Sequence, residues 1–328
     1  MISIFTCRDH AYTLRGFLKS WGGGLAGDVQ LLDYEGLALS PRVAGGTVIF
    51  SDLERLSPLE RQLAAWFYRQ LREHGKHVVL LNNPAHCLNR AELLAALYAN
   101  NINQFASYPI RQYQDVRRFP VFIRSCSEHN GSITPLLHNR AELQAALKTL
   151  PRRKKLLGFD FVIVEYIHSA IDGLFRKYSA MRIGNRIIPR HILFSKEWIT
   201  KKPDLVDSSK VKEEAEFLRN FPHNDMLWQI FHLANIEYGR IDYGIMEGRI
   251  QVWEINSNPT IVPNPERIAV ERLEGQRESA RQIIDVFRGL GTATASHVDR
   301  PHHLSLPGQL LGLTMRARNR LMLRGERP

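Results

Sequence analysis

The chain has 328 residues, 44% of them hydrophobic and 23% charged. That length suffices for two or three compact units, and that balance excludes a chain too polar to bury a core. Lys and Arg outnumber Asp and Glu by 44 to 33, a formal net charge of +11, which predicts anionic partners: nucleotide phosphates, an acidic substrate or nucleic acid. Residues 291–328 hold six arginines against Asp299 and Glu326, so the body of the chain is less basic than the total. Cys7, Cys87 and Cys126 are an odd number at no metal-ligand spacing, and the opening MISIFTCRDH carries no apolar signal segment. Both features predict reduced thiols in a cytoplasmic protein. No apolar run approaches the roughly 18 residues that a membrane span needs.

From the start of the chain, Ile2–Phe5, Thr47–Phe50 and His77–Leu81 read as short strands. The last two flank a helix from about Pro58 to Glu73, opened by Ser57-Pro58-Leu59-Glu60, a capping box with proline at the first helical position. Strand, helix, strand implies a right-handed crossover and a parallel sheet, and so a small Rossmann-like α/β unit over residues 1–110. Gly22-Gly23-Gly24 has neither the lysine nor the spacing of a phosphate loop and reads as a turn. A loop and a helix follow over Leu81–Leu97. Arg90 stands near that helix's start, where a residue facing water is the plain reading.

Phe119–Arg124 reads as a strand ending in a cation just before the turn 127–132, and residues 139–150 as a helix. Pro151–Lys155 is a basic connection of the kind usually found on solvated surface, and Phe159–Ile167 is the next strand. FRKYSAMRIGNRII, Phe175 to Ile188, reads strand, Gly-Asn turn, strand, with Lys177 and Arg182 on opposite faces by alternation. Pro189-Arg190-His191 leads into a loop through Trp198. Helices are expected at 209–220, at 225–235 and from about Pro265 to Arg288, and the tail beyond Gly291 reads as a solvated or basic amphipathic segment.

Gly239–Thr260 carries the strongest chemical signal. Arg240–Ile245 and Ile250–Asn256 alternate polar and apolar around a glycine-containing turn, the signature of a hairpin. Glu254 and Asn256, two apart, leave one face of their strand, and Asp242 on the paired strand reaches that face too. Two carboxylates and an amide oxygen make a hard-oxygen site suited to magnesium, with manganese as a substitute.

Asp242, twelve residues, Glu254-Ile255-Asn256 and a proline-containing loop resemble the metal-binding end of the ATP-grasp ligases, a superfamily that includes D-alanine–D-alanine ligase, glutathione synthetase and the RimK-type ligases. The resemblance implies an α+β / α/β chain: an N-terminal pre-ATP-grasp domain at 1–110, grasp subdomains at 111–170 and 171–290, and a basic tail at 291–328. By the same resemblance Arg90 and Arg124 stand where the family has phosphate-binding lysines. The strand ending at Glu165 leads into an adenine hinge at Glu165, Tyr166 and Ile167, with Asp172 seven residues on for the ribose hydroxyls. Lys177 and Arg240 become cations for the phosphates, and Arg190 and His191 face an anionic substrate or the transferring phosphoryl group; a hydrogen-bonded structural role is the other reading of His191.

What the resemblance implies is an ATP- and Mg2+-dependent ligase that joins a carboxylate to an amine through an acyl phosphate. The cofactors are ATP and magnesium or manganese; the expected partner is an anionic small-molecule or peptide carboxylate, and a homodimer is compatible with it. A phosphotransferase on the same fold and a nucleotide-binding protein without turnover are the alternatives. Nucleic acid is not expected, because the body of the chain has no reader motif and no aromatic–basic stripe.

Overall fold

The computed structural model describes residues 1–39, 43, 46–74, 78–128, 131–150, 161–200 and 205–291. The basic connection at 151–155 and the tail beyond 291 lie outside them. The chain divides into two compact units, one of Met1–Cys87 with Asn258–Asn264 and the chain from Ala280, the other of Leu88–Ser257 with Pro265–Ser279. The N-terminal stretch of the first unit ends at Cys87, and most of the expected segments 111–170 and 171–290 falls in the second, apart from Asn258–Asn264 and the chain from Ala280.

In the first unit β1 (Ile2–Thr6), β2 (Val29–Asp33), β3 (Thr47–Phe50) and β4 (Val79–Leu81) form one parallel sheet in the order β2-β1-β3-β4. Ile2, Ile4, Phe5, Val48, Ile49 and Phe50 are all buried, as expected of parallel strands covered on both faces. Helices α1 (Tyr12–Ser20) and α2 (Pro58–His74) are the long connections. The predicted capping box is formed, with Ser57 N–H donating to Glu60 at 2.7 Å and Glu60 N–H to Ser57 Oγ at 3.3 Å. The sequence reading missed α1 and β2. The glycine run forms a short 3-10 turn, Gly23–Leu25.

The second unit holds two antiparallel sheets. β5 (Ser107–Pro109), β6 (Val121–Ser125) and β7 (Phe161–Glu165) are ordered β5-β7-β6, backed by α3 (Arg90–Ala99) and α4 (Arg140–Thr149). Both helices start at an asparagine whose side chain accepts from the third helical N–H, Asn89 from Glu92 and Asn139 from Glu142. The other sheet is β8 (Phe175–Ile183), β9 (Arg186–Ser195), β10 (Tyr238–Met246) and β11 (Arg249–Asn256), ordered β11-β10-β8-β9. Gly184 at φ 59° opens the two-residue turn between β8 and β9, as a type II′ turn requires.

α5 (Ser208–Asn220) and α6 (Asn224–Ala234) connect β9 to β10. Leu227, Ile230, Phe231 and Ala234 are buried at helical spacing, as their periodicity predicted. β9 runs on to Ser195, so Pro189-Arg190-His191 is strand and not the entrance to a loop. The last helix, α7, covers Leu273–Gly291 and is preceded by 3-10 turns at Pro265–Arg267 and Val270–Arg272; the expected helical start near Pro265 is corrected by eight residues. No helix among the described residues is long and apolar enough to cross a membrane.

Candidate functional site

The β10–β11 hairpin aligns the predicted metal residues. Asp242 lies opposite Glu254, and Arg240 opposite Asn256, so two cross-strand pairs two residues apart share one face. Glu247 at φ 50° and Gly248 at φ 74° make the turn, the left-handed pair that matches the twist of a tight hairpin. The register slips between Asp242 and Tyr243, leaving Trp253 as the extra residue of β11. Neighbouring residues on a strand ordinarily point to opposite sides, but at this bulge Trp253 and Glu254 both line one cleft. Gly244 permits it: a Cβ there would stand 2.9 Å from the Trp253 ring.

Asp242 is buried and surrounded. Ser179, its partner on β8, donates Oγ to Oδ1 at 2.6 Å; Arg240 Nε stands 3.0 Å from the same oxygen, and Lys177 Nζ 3.5 Å from Oδ2. Burial alone would raise the carboxyl, but Arg240, Lys177 and the Ser179 hydroxyl outweigh it and hold it below its ordinary value. Glu254 carries two cations, Arg124 at 2.6 Å and Arg90. Arg90 is buried and also donates to the carbonyls of Ser125 and Glu128, which excludes the water-facing reading. Burial, and next the neighbouring Arg90, lower the Arg124 guanidinium to about 10; it remains a cation at neutral pH, with Nε buried and lacking a hydrogen-bond partner. Four cations, Arg90, Arg124, Lys177 and Arg240, thus meet two carboxylates, an excess that suits a polyanion.

The cleft beside them encloses about 910 Å³, open solvent included, and is lined by Phe122, Arg124, Glu165, Tyr166, Ile167, Phe175, Arg176, Lys177, Trp198, Asp242, Trp253 and Glu254, among others. Part of its lining is a packed aromatic group: Trp198 lies 4.9 Å from Phe122 and 5.6 Å from Tyr166, centroid to centroid. The Glu165 carboxylate is engaged elsewhere, accepting from Ala106 N–H at 2.8 Å, Tyr108 Oη at 3.0 Å and Arg118; desolvation and then this bond push the Tyr108 phenol up to about 12.

Of the predicted residues, Arg124, Glu165, Tyr166, Ile167, Lys177, Asp242 and Glu254 line the cleft. Arg90 and Arg240 reach it through the carboxylates they hold. Asp172 does not: it is exposed on the turn Ile171–Leu174, with φ 52°. Arg190 is not among the residues that line the cleft either. It is 1% exposed, at an extra residue of β9 where the β8–β9 register slips, and donates to Gln276 at 3.1 Å while Gln276 returns a bond to its carbonyl. Burial, with Arg240 adding to it, lowers that guanidinium to about 9. Burial and the cations Arg240, Arg190, Lys177 and Arg272 drive the His191 imidazole well below its ordinary value, so it is neutral at pH 7 and brings no charge to an anion. Sequence reasoning missed Ser179, Arg176, Phe122 and Trp198. Ser179 was recoverable from the expected strand, because it shares the face of Lys177.

No protein-family model matches the sequence, and no curated protein does. Solved structures give weak similarities. These include D-alanine–D-alanine ligase from Bacillus anthracis complexed with ATP, at TM-score 0.46 and 13% identity, covering 87% of this chain and 97% of that one. A RimK domain protein, an ATP-grasp from Sphaerobacter thermophilus, gives 0.46 and 10%, covering 87% and 99%. The ATP-grasp ligase PsnB, complexed with precursor peptide PsnA2 and AMPPNP, gives 0.46 and 14%, covering 89% and 97%. At these scores and identities none of the residue assignments rests on the likeness.

Proposed function

We propose that the protein is an ATP- and Mg2+-dependent ligase of the ATP-grasp type, which activates a carboxylate as an acyl phosphate and joins it to an amine. The observation that carries the reading is that Asp242, Glu254, Arg124 and Lys177 line one cleft together with the aromatic rings of Phe122, Tyr166, Trp198 and Trp253. A nucleotide needs both: a flat apolar slot for its base and fixed cations for its phosphates.

The donor set fits magnesium, because Asp242, Glu254 and Asn256 supply hard oxygens from one sheet face. Bound there, the metal would neutralise phosphate charge. The rest falls to the chain. Arg124 and Lys177, which line the cleft, with Arg90 and Arg240, which hold the same two carboxylates, would offset the charge of the phosphates and of the γ-phosphoryl group in transfer to the substrate carboxylate. Ser179 keeps Asp242 oriented throughout. Tyr166 and Ile167 present hinge backbone to the base. Neutral His191 serves as a hydrogen-bonding group, and no side chain here needs to act as a nucleophile.

The test is thermal unfolding with ATP and magnesium, ATP alone and GTP, followed by a screen of carboxylate and amine pairs for ADP release. Ligand at a hundred times its Kd adds about 2.7 kcal/mol of stability. A magnesium-dependent shift with ADP release that needs both substrates supports the ligase. Release with a hydroxyl acceptor alone points to a phosphotransferase, a shift without turnover to a nucleotide-binding protein, and no shift overturns the nucleotide site.

A further inference from the structure

A local turn and the register of two paired strands bring Cys7, His10 and Asp52 together in the first unit. Cys7 precedes the 3-10 turn Arg8–His10, and His10 N–H donates to the Cys7 carbonyl at 3.0 Å. A 3-10 turn has three residues, so side chains at i and i+3 eclipse and the thiol and imidazole share a side. Asp52 comes from the neighbouring strand. The parallel register pairs Ile4 with Ile49 and Phe5 with Phe50; carried two residues further it sets Asp52 beside Cys7, whose N–H donates to Asp52 Oδ2 at 3.1 Å.

The three ligand atoms, thiol, imidazole and carboxylate, all lie within 4.8 Å of one another. Asp52 is 0% exposed and held at φ 60°, ψ 24°, a left-handed conformation that aspartate tolerates better than most residues. Its outer contacts fix the carboxylate: Arg55 Nε is 3.1 Å from Oδ1, and Thr6 Oγ1 donates to Oδ2 at 3.3 Å. His10 Nδ1 is 3.3 Å from Oδ2, yet it is buried and makes no hydrogen bond, because the ring nitrogen is not aligned on the carboxylate. Asn258 braces the loop, donating to Thr6 Oγ1 and the His10 carbonyl, both at 3.1 Å, and accepting from Thr13 at 2.7 Å. Outer contacts of this kind orient metal ligands. A loop brace by itself accounts for the bonds from Thr6 and the Cys7 N–H, but not for the thiol and imidazole converging on the same carboxylate.

The place in the sheet is also one where ligands bind. Cys7 and Asp52 follow the carboxyl ends of β1 and β3, and in the order β2-β1-β3-β4 the strand order reverses between those two.

We propose that Cys7, His10 and Asp52 form a site for one zinc-class divalent cation, with three protein ligands and one position left to water or an anionic ligand. Thiolate, imidazole and carboxylate together select a borderline ion such as zinc over magnesium, and three protein ligands are the set of an open site. Burial, followed by the Asp52 carboxylate, pushes the metal-free thiol above its ordinary value, so binding displaces a proton from it. The site is independent of the nucleotide reading, since it contains neither Asp242 nor Glu254.

The experiment is a cobalt(II) titration of the reduced, chelator-treated full-length chain, followed by zinc back-titration and metal analysis. The expected result is one equivalent of cobalt with tetrahedral visible bands and a near-ultraviolet thiolate charge-transfer band, displaced by zinc and unaffected by excess magnesium. Cys7→Ser removes the charge-transfer band, whereas Cys126→Ser keeps it. Should Cys7→Ser not fold, His10→Asn is read instead, with affinity lower by at least about tenfold. Absence of one-equivalent binding in the wild-type chain, competition by magnesium, or a charge-transfer band that survives Cys7→Ser overturns the proposal.

Discussion

Replacing Glu254 with glutamine tests the centre of the candidate site without changing its shape. One carboxylate, 14% exposed, sits against two guanidiniums that are 3% and 10% exposed, Arg90 and Arg124. Removing one partner of a buried ion pair costs about 3–5 kcal/mol, because the partner's charge is left in a poorly solvated place. Glutamine retains an acceptor oxygen and the group is not fully buried, so the lower end, about 3 kcal/mol, is expected. The assay is urea unfolding without nucleotide, comparing midpoints at constant m.

Arg124→Gln in the Glu254→Gln background removes the repulsion between the two arginines, so the double variant should be more stable than the sum of the single changes by about 0.5–3 kcal/mol. The magnesium-dependent part of the stabilisation by ATP should disappear in both. A Glu254→Gln chain within about 0.5 kcal/mol of the wild type, the range of an ordinary surface change, would refute the reasoning.

His191 predicts a pH dependence. Its folded value is depressed well below 6.5, so the unfolded chain takes the proton first and stability present above pH 6.5 is lost as pH falls, by about 1.4 kcal/mol per unit while the folded imidazole stays neutral. His191→Gln should remove that slope between about pH 6.5 and 5.5, and unfolding curves with the same pH dependence in both chains would contradict it. Gly244→Ala should cost about 1–3 kcal/mol by driving a methyl into the Trp253 ring, and should change the tryptophan fluorescence of the folded chain; an unchanged spectrum and midpoint would show that the ring yields freely. Ser179→Ala removes a buried hydrogen bond to a charged carboxylate and should cost about 1.5–3 kcal/mol, with weaker magnesium-dependent binding of ATP; unchanged binding would mean that Ser179 does not position Asp242.

The sequence alone determined the elements whose causes are local. Alternation over Arg240–Asn256 and a glycine turn are enough to specify a hairpin, and in a hairpin the faces of Asp242, Glu254 and Asn256 follow from a period of two. Ser57 and Glu60 specify a helix start because their bonds close within four residues. The tertiary structure decided everything that depends on what lies across a sheet or at the far end of a loop. Only the fold sets the Arg190 guanidinium against Gln276, 86 positions later, and surrounds His191 with four cations. Asp172 keeps a suggestive spacing but sits on an exposed turn. Trp253 and Glu254 line the same cleft because a bulge, absent from any pattern of alternation, breaks the rule that neighbours face opposite ways. Cys7 and Asp52 are 45 residues apart, and it is the pairing of β1 with β3 that makes them neighbours: spacing along a chain constrains only what one turn or one strand can reach, whereas charge and coordination act through space.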